Sequence, residues 1–521
     1  MGKFTWLHQI LSLLLMLFFH SVFHCSLGLS SSSINQTHLC SPVHHLALIQ
    51  FNNTLSIGDS PSHFLCHGTS YPKTKSWNEN TDCCTWDGVT CDKATGKVIS
   101  LDLSCSKLAG SLSPNTTLFR LQGLRRLNLA YNDFNGELIP SGISQLVSLT
   151  HLNLSGNLFS GLVPSDISLL SKLISLVLSR TSCCGLKIDS HSFGKLARNL
   201  SKLENLFLAG VNMSNVAPAS FKNLSSSLKR LYLLACDLQG ELPSELFQLE
   251  YLDLNGNDLT GYLPTFNRSS PLMYLNLWGY DLRGPIPAGN LTKLTYLDGQ
   301  LPSSLFNLTQ LTYLDLALNS LQGPLPTHVS GLQKLQHLHL GDNLFSGTIP
   351  SWLFTAQSVD LHNNSFTALT NQNGFSRLEN LTSLDLSKNN FSGVVKLDVL
   401  SKLKHLLVLD LSNNKLQSWS SESSVVNSAF PKLITLSLSS CNGRTFPDFL
   451  RSAESLTDLD LSYNKIQGSI FRWETQGWKQ LRVLNLSHNL LTGFEQWPGK
   501  NRQVLDLRSN LLQGHLPALP S

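Results

Sequence analysis

Along most of the chain apolar residues recur in one fixed phrase. The segments "LRRLNLAYNDFNGELIP", "LTHLNLSGNLFSGLVP" and "LTYLDLALNSLQGPLP" all follow L-x-x-L-x-L-x-x-N-x-L/F-x-G-x-x-P or a close variant. Eighteen copies can be counted, with first strand residues running from Leu101 to Leu505 at a median spacing of 24. A period of this kind predicts a solenoid of stacked coils. In x-L-x-L-x the leucines alternate inward while the x residues face out. Each coil therefore contributes one short strand, and the strands stack as a parallel sheet on the concave side. The asparagine that follows, as at Asn132, Asn257, Asn343, Asn389 and Asn464, turns the chain and satisfies backbone groups that the bend would strand inside. Cys236 and Cys441 replace it in two coils, as small, buriable, weak donors. The Gly-x-x-Pro tail predicts a tight, extended or 3₁₀-like convex side with no room for long helices. The fold class is an α/β solenoid, a leucine-rich-repeat superhelix with a parallel concave sheet.

Two coils break the period. Leu176 to Leu206 spans 30 residues and contains Cys183 and Cys184, so it should bulge outward. Leu297 to Leu314 spans only 17 and lacks the second strand leucine and the turn asparagine. About seven residues are missing there, which leaves either a kinked solenoid or a damaged gene or transcript.

The periodic core explains how 521 residues, 41% of them hydrophobic, form one array; a single-core globule of that length would split into domains. Charged residues are 14% and the net charge is +4. Nucleic-acid binding is excluded, because phosphate contacts need a dense Lys/Arg patch. An outward face rich in Ser, Thr, Asn and Asp suits sugars and protein loops.

Residues 1–28 read as an export signal: Lys3, the apolar run Ile10 to Phe19, and small residues at Ser26 and Gly28. No later stretch reads as a transmembrane helix, so this chain alone would be secreted. Asn-X-Ser/Thr motifs agree with export. Glycosylation is expected at Asn35, Asn52, Asn115, Asn199, Asn212, Asn223, Asn267, Asn290, Asn307, Asn363, Asn380 and Asn390. Asn153 and Asn485 carry the motif between two core leucines, on the face wanted for binding, and are expected to stay bare.

Residues 29–97 hold no repeat and form a cap, and residues 98–521 form the repeats, with no closing cap after them. In "SPVHHLALIQF", Val43, Leu46, Ala47 and Ile49 fall at helical spacing. Cysteines of an exported chain should be oxidised. Adjacent cysteines do not readily bond to each other, which favours Cys40 to Cys83 and Cys84 to Cys91, and leaves Cys105 open to Cys66. The cap lacks zinc-ligand spacing and a C-x-x-C redox pair.

No catalytic constellation emerges, and no cofactor or metal is called for. The aspartates of L-D-L, among them Asp315, Asp360, Asp385 and Asp410, each occupy the same outward place in their own coil, so the repeat explains them. Neighbouring strands lie about 4.8 Å apart, and such a row of like charges should raise some carboxyl pKa values and attract a cation or a basic loop. Outward aromatic residues are the better anchors for a partner. Phe207, Tyr232, Trp278 and Tyr280 cluster over four consecutive coils. His337, His339, Asp360 and His362 make a second, polar patch. Packing against a bulged loop is the competing reading of the aromatic group.

The segments "LCSPVHHLALIQF", "YPKTKSWNENTDCCTWDGVTCD" and "VISLDLSCSKLAGSL", with the L-x-G-x-I/L-P tail, resemble the extracellular part of plant leucine-rich-repeat receptor-like proteins of the tomato leaf-mould resistance group. The resemblance covers residues 25–521. It implies a plasma-membrane immune receptor, facing outward, that senses an extracellular protein or peptide and signals through partner receptor kinases. It also implies that Trp86, beside Cys83, Cys84 and Cys91, packs the cap onto the first coil. The family has a further cap, a membrane helix and a short tail after its repeats, and this chain reads as truncated relative to it. Two alternatives stand beside the receptor: a secreted inhibitor of a pathogen cell-wall enzyme, and a non-functional fragment.

Overall fold

The computed structural model describes residues 40–58, 66, 70–134, 136–179, 185–241, 243–261, 269–279, 281–282, 303–369, 380–396, 403–420, 432–470, 478–494 and 503–515. One sheet runs through all of it. Of its eighteen strands, Val89–Cys91 pairs antiparallel with Val98–Asp102. The other seventeen are parallel, three-residue strands for the most part, each leucine in register with the next: Leu101 with Leu127, Leu384 with Leu409, Leu484 with Leu505. The strand Tyr274–Asn276 pairs directly with Tyr313–Asp315. Leu297 itself lies outside the described residues, as do the export signal, Cys183, Cys184, Tyr280, Asn35, Asn267 and Asn290.

Alternation places the strand leucines in the core. Leu384, Leu386, Leu409 and Leu411 are all buried. The turn after each strand uses a left-handed residue, usually not glycine: Lys388, Asn413, Tyr463 and His488 have φ between +52° and +57°. Such a conformation costs about 1 kcal/mol or more in a residue with a Cβ, and the turn asparagine beside it offsets that cost. Asn389 donates from Nδ2 to the carbonyls of Leu361 (2.9 Å), Leu386 (3.2 Å) and Ser387 (3.2 Å), and its Oδ1 accepts the Phe366 N–H at 3.0 Å. Leu361 and Phe366 belong to the preceding coil, so each asparagine both closes its own turn and ties two coils together. Asn414, Asn464 and Asn489 repeat the pattern. Cys236 and Cys441 donate to the corresponding carbonyls, Leu208 at 3.2 Å and Leu411 at 3.3 Å. Their own backbone N–H groups donate to Asn257 and Asn464 of the next coil, as that of Asn132 does to Asn157. Burial pushes both thiols up to about 12, so they stay protonated donors.

The cap closes one end. Its disulfides are Cys40–Cys83, Cys66–Cys105 and Cys84–Cys91. Trp86 is buried, stacks on Trp77 at 5.3 Å and donates to Thr81 Oγ1 at 2.8 Å. The cap helix spans Pro42–Asn52, but its buried stripe is His44, Ala47, Leu48, Ile49 and Phe51. Val43 and Leu46, expected to face inward, are 62% and 52% exposed. His44 takes the inward place because its Nδ1 accepts the Val98 N–H at 2.9 Å, tying the helix to the first coil.

Convex segments are mostly short 3₁₀ turns, such as Ser141–Gln145, Ser165–Leu169 and Ser351–Thr355. The expectation of no long helix fails in the 30-residue coil. Its extra residues form a ten-residue helix, Ser190–Asn199, capped by Asp189, which accepts the Ser192 N–H at 2.7 Å. The L-x-G tails add a second set of short parallel strands along one flank, for example Leu344–Ile349 beside Ser365–Leu369, which the repeat pattern alone did not reveal.

Asn389→Ala should lower stability by about 2–4 kcal/mol, because each buried polar group left unpaired costs about 1–3 kcal/mol. Asn389→Cys should cost about half as much, and urea denaturation followed by tryptophan fluorescence checks both. Reducing the cap disulfides should lower the melting temperature, each bridge contributing about 2–4 kcal/mol; unchanged melting in reductant would contradict their role.

Candidate ligand-binding face

The strand register sorts the outward residues of the concave sheet into columns. One column, just before the first strand leucine, reads Arg230, Tyr251, Tyr274, Tyr313, His337, Ser358 and Ser383. The next, between the two leucines, reads Phe207, Tyr232, Asp253, Asn276, Asp315, His339, Asp360, Asp385 and Asp410. Trp278 and His362 belong to a third column, after the second leucine.

The first two columns build a ladder of rings over six successive strands. Phe207 lies 6.0 Å from Tyr232, and Tyr232 meets Tyr251 edge-on at 6.5 Å. Tyr251 stacks on Tyr274 at 4.0 Å, and Tyr274 on Tyr313 at 4.3 Å. Tyr313 then contacts His337 at 5.9 Å and His339 at 5.6 Å. The two patches expected from sequence, one aromatic and one polar, are thus a single strip joined by Tyr251, Tyr274 and Tyr313. These three escaped notice because they precede the first strand leucine rather than lie between the two. The signal was present as a recurring Tyr-Leu. Tyr232 and Tyr251 are each only 9% exposed and Tyr313 4%, and Tyr232 and Tyr251 pack with Ala209, so these three support the ladder from within. Phe207 and Trp278 are half-buried.

The aspartates have a local role first. Each accepts the backbone N–H two residues on, through Oδ1: Asp253 from Asn255 (3.1 Å), Asp315 from Ala317 (3.0 Å), Asp360 from His362 (3.1 Å), Asp385 from Ser387 (2.9 Å) and Asp410 from Ser412 (2.8 Å). Asn128, Asn153, Asn276 and Asn485 accept in the same way. An Asx side chain here satisfies the strand exit, which is why the column prefers Asp and Asn.

Their electrostatics then diverge. Burial, relieved only in part by hydrogen bonds from Asn255 and Tyr274, raises Asp253 to about 7. Burial and the charges of Asp360 and Asp410 lift Asp385 to about 7. Asp410 is raised too, first by burial. Asp360 goes the other way. Burial pushes it up, but the hydrogen bond and charge of His362 outweigh that and bring it below the ordinary carboxylate value. His362 Nδ1 lies 2.7 Å from Asp360 Oδ1, and Nε2 lies 2.9 Å from Asp342 Oδ2. Burial alone would depress His362, yet Asp360, Asp385 and Asp342 raise it to about 9. It is therefore an imidazolium held between two carboxylates. Gly341 makes room for it, since a Cβ there would lie 2.3 Å from His362 Nδ1.

Among the expected glycosylation sites, Asn115, Asn199, Asn223, Asn363 and Asn380 are exposed, and Asn52, Asn212, Asn307 and Asn390 half-buried. Asn199, Asn223 and Asn307 end convex helical segments, away from the sheet. Asn153 and Asn485 sit on the concave strands.

The chain matches the family described as Leucine rich repeat N-terminal domain over residues 45–92, and again within the array over 397–425. Leucine Rich Repeat matches fall at 148–170, 248–268, 334–356 and 380–401, and a further Leucine Rich repeat match at 452–470. Receptor-like protein 6 of Arabidopsis thaliana is 42% identical over 248 residues, 45% of this chain and 25% of that protein. Receptor-like protein Cf-9 of Solanum pimpinellifolium is 39% identical over 264 residues, 48% of this chain and 30% of that protein. The matched region thus spans less than a third of either relative. Among solved structures, the ectodomain of the Arabidopsis receptor kinase HAESA, bound to an IDA peptide hormone, is 26% identical with a TM-score of 0.58, covering 91% of this chain and 86% of that one. HAESA with IDA and the co-receptor SERK1 gives 26% and a TM-score of 0.53, covering 91% of this chain and 90% of that one. The fold and the repeats are those of a plant-type leucine-rich-repeat ectodomain of the receptor-like kind. Within that class the chain is related to the Cf-9-like proteins. Among the described residues no helix is long and apolar enough to cross a membrane.

The raised groups set a pH dependence. A folded-state pKa above the unfolded value gives stability that is complete at low pH and lost as pH rises through the folded value. Asp253 and Asp385 should cost stability between about pH 4 and 7, and His362 between about 6.5 and 9. Melting temperature should therefore be higher at pH 5 than at pH 8. Asp253→Asn should flatten the lower limb and His362→Gln the upper one.

Proposed function

We propose that this chain is the ligand-recognising part of a cell-surface receptor. It binds an extracellular protein or peptide on its concave face and acts in plant defence through partner receptor kinases. The observation that carries the reading is the unbroken ring ladder from Phe207 to His339 on a rigid sheet. Aromatic residues give large contact area at little cost in conformational entropy, and interface hot spots are enriched in Tyr and Trp. Half-buried Phe207 begins the ladder, half-buried Trp278 flanks it, and Asp360 and His362 extend it beyond His337 and His339 with polar contacts. Tyr232 positions its neighbours. Glycans on Asn199, Asn223 and Asn307 project from the convex side and leave the ladder clear. HAESA, similar over most of this chain, has been solved with a peptide hormone and a co-receptor, which supports the same division of labour here.

Individually purified pathogen-secreted proteins and peptides, screened against the glycosylated chain by surface plasmon resonance, test the reading. A specific binder should lose at least tenfold in affinity on Tyr274→Ala or Trp278→Ala. It should be unaffected by Leu344→Ala on the flank, where Leu344 is 57% exposed. Its presence should also be required for a partner kinase ectodomain to join. Binders insensitive to both concave substitutions would place recognition elsewhere.

A further inference from the structure

Ahead of the ring ladder the concave face changes character. Over five strands the column before the first leucine reads Arg126, His151, Ser175, Asn205 and Arg230, and the column between the leucines reads Asn128, Asn153, Val177, Phe207 and Tyr232. None of these is acidic, whereas Asp253, Asp315, Asp360, Asp385 and Asp410 recur in the second column farther along. The turn does not impose the difference, because Asn128 and Asn153 accept the N–H two residues on just as the aspartates do. The acidic groups at the margin are matched by lysines, Asp102 by Lys73 at 3.2 Å and Glu204 by Lys229 at 2.9 Å. The middle of the stretch is hollow. Ser175 and Val177 are small, and they stand between His151 and Asn153 on one strand and Asn205 and Phe207 on the other. The hollow encloses about 240 Å³ and is lined by Arg126, His151, Asn153, Ser175 and Val177. Phe207, where the ladder starts, is the neighbour of Val177 in the register. The protons of His151 are set by its own strand. Thr150 gives its hydroxyl hydrogen to the Arg125 carbonyl at 2.9 Å, so its oxygen accepts from His151 Nδ1, also at 2.9 Å. Nδ1 thus carries the hydrogen of the neutral ring, and a further proton goes to Nε2. Burial and then the charge of Arg126 hold the imidazole below its ordinary value, against the pull of Glu204.

We propose that this hollow is a subsite for one carboxylate side chain, aspartate or glutamate, carried by an extended segment of the protein or peptide ligand. The proposal rests on the concave face being the ligand surface, and it assigns part of the ligand's chemistry. The Arg126 guanidinium supplies the charge and a planar fork of donors that matches a carboxylate. The Ser175 hydroxyl supplies a neutral donor from the floor. His151 takes up a proton at Nε2 as the carboxylate arrives, since an anion beside it offsets the cost that burial and Arg126 place on the charged ring. The charged groups around that ring are Arg126 on the preceding strand and Glu204, whose own partner is Lys229. Spacing ties the subsite to the ladder. His151 and Phe207 lie two strands apart, about 10 Å at about 4.8 Å per strand, which an extended segment crosses in about three residues. The ligand therefore carries its acidic residue about three positions from an apolar residue that meets Phe207.

The test is isothermal titration calorimetry of the whole glycosylated chain with the peptide acetyl-Gly-Glu-Gly-Gly-Trp-Gly-amide, whose blocked ends leave one carboxylate. The expected result is saturable binding that weakens about tenfold when glutamine replaces the glutamate, and about tenfold in Arg126→Gln. Arg126 is exposed, so this variant should fold, and an unchanged melting curve confirms it. Arg482→Gln, an exposed arginine many coils away, should change binding less than twofold. Titration in two buffers of different ionisation enthalpy should show net proton uptake on binding, and affinity should fall as pH rises from 5.5 to 8. Both effects should vanish in His151→Gln. Equal affinity for the glutamine peptide, an unaffected Arg126→Gln, binding without proton uptake, or no binding at millimolar peptide would each overturn the proposal. So would binding that appears only when the peptide ends in a free carboxylate. A glycan found on Asn153 by mass spectrometry would also overturn it, because the sugar would fill the hollow. If the acidic peptide fails while a ligand from the screen still depends on Tyr274, the receptor reading stands and only the subsite falls.

Discussion

The structure depends on one buried interaction repeated along its length, the turn asparagine that holds the coil before it. A solenoid has no closed core, so each coil needs a reason to sit in register with the next. Apolar stacking of leucines supplies attraction but tolerates sliding. The amide of Asn389 does not, because its donors and acceptor meet carbonyls and an N–H at fixed positions in two coils. It also removes the desolvation cost of a sharp turn inside the protein. The columns of the concave face follow from that register. Tyr251, Tyr274 and Tyr313 can stack only because their coils are locked in step.

The same logic separates structural chemistry from surface chemistry in the aspartates. Where a coil carries Asp in this column, one carboxylate oxygen accepts the N–H two residues on and closes the strand exit. The further partners of these carboxylates differ from coil to coil: a tyrosine hydroxyl at Asp253 and Asp315, an imidazolium at Asp360, a guanidinium at Asp506, and serine hydroxyls at Asp385 and Asp410. What varies from coil to coil on an invariant frame is the part of the molecule free to carry recognition.

Much of this was legible in the sequence. The strand leucines, the turn asparagines, the thiols standing in for them, the cap disulfides and the row of aspartates follow from period and residue chemistry. Local exceptions did not. The burial of His44 in place of Val43 depends on a hydrogen bond to Val98, 54 residues away, which no helical periodicity contains. The helix Ser190–Asn199 arises because a coil long enough to bulge can also fold the bulge. The tyrosine ladder spans strands whose separations in sequence vary, from Tyr274 to Tyr313 across the shortened coil, so only the register brings its members together.

Native-state hydrogen exchange resolved by mass spectrometry tests the role of the asparagines most directly. Phe366, Phe391 and Ile466 donate their N–H groups to Asn389, Asn414 and Asn489 of the following coils. The account predicts that these amides exchange as slowly as those of the neighbouring sheet strands, although they lie at the turns. Exchange at the rate of exposed loops would contradict it.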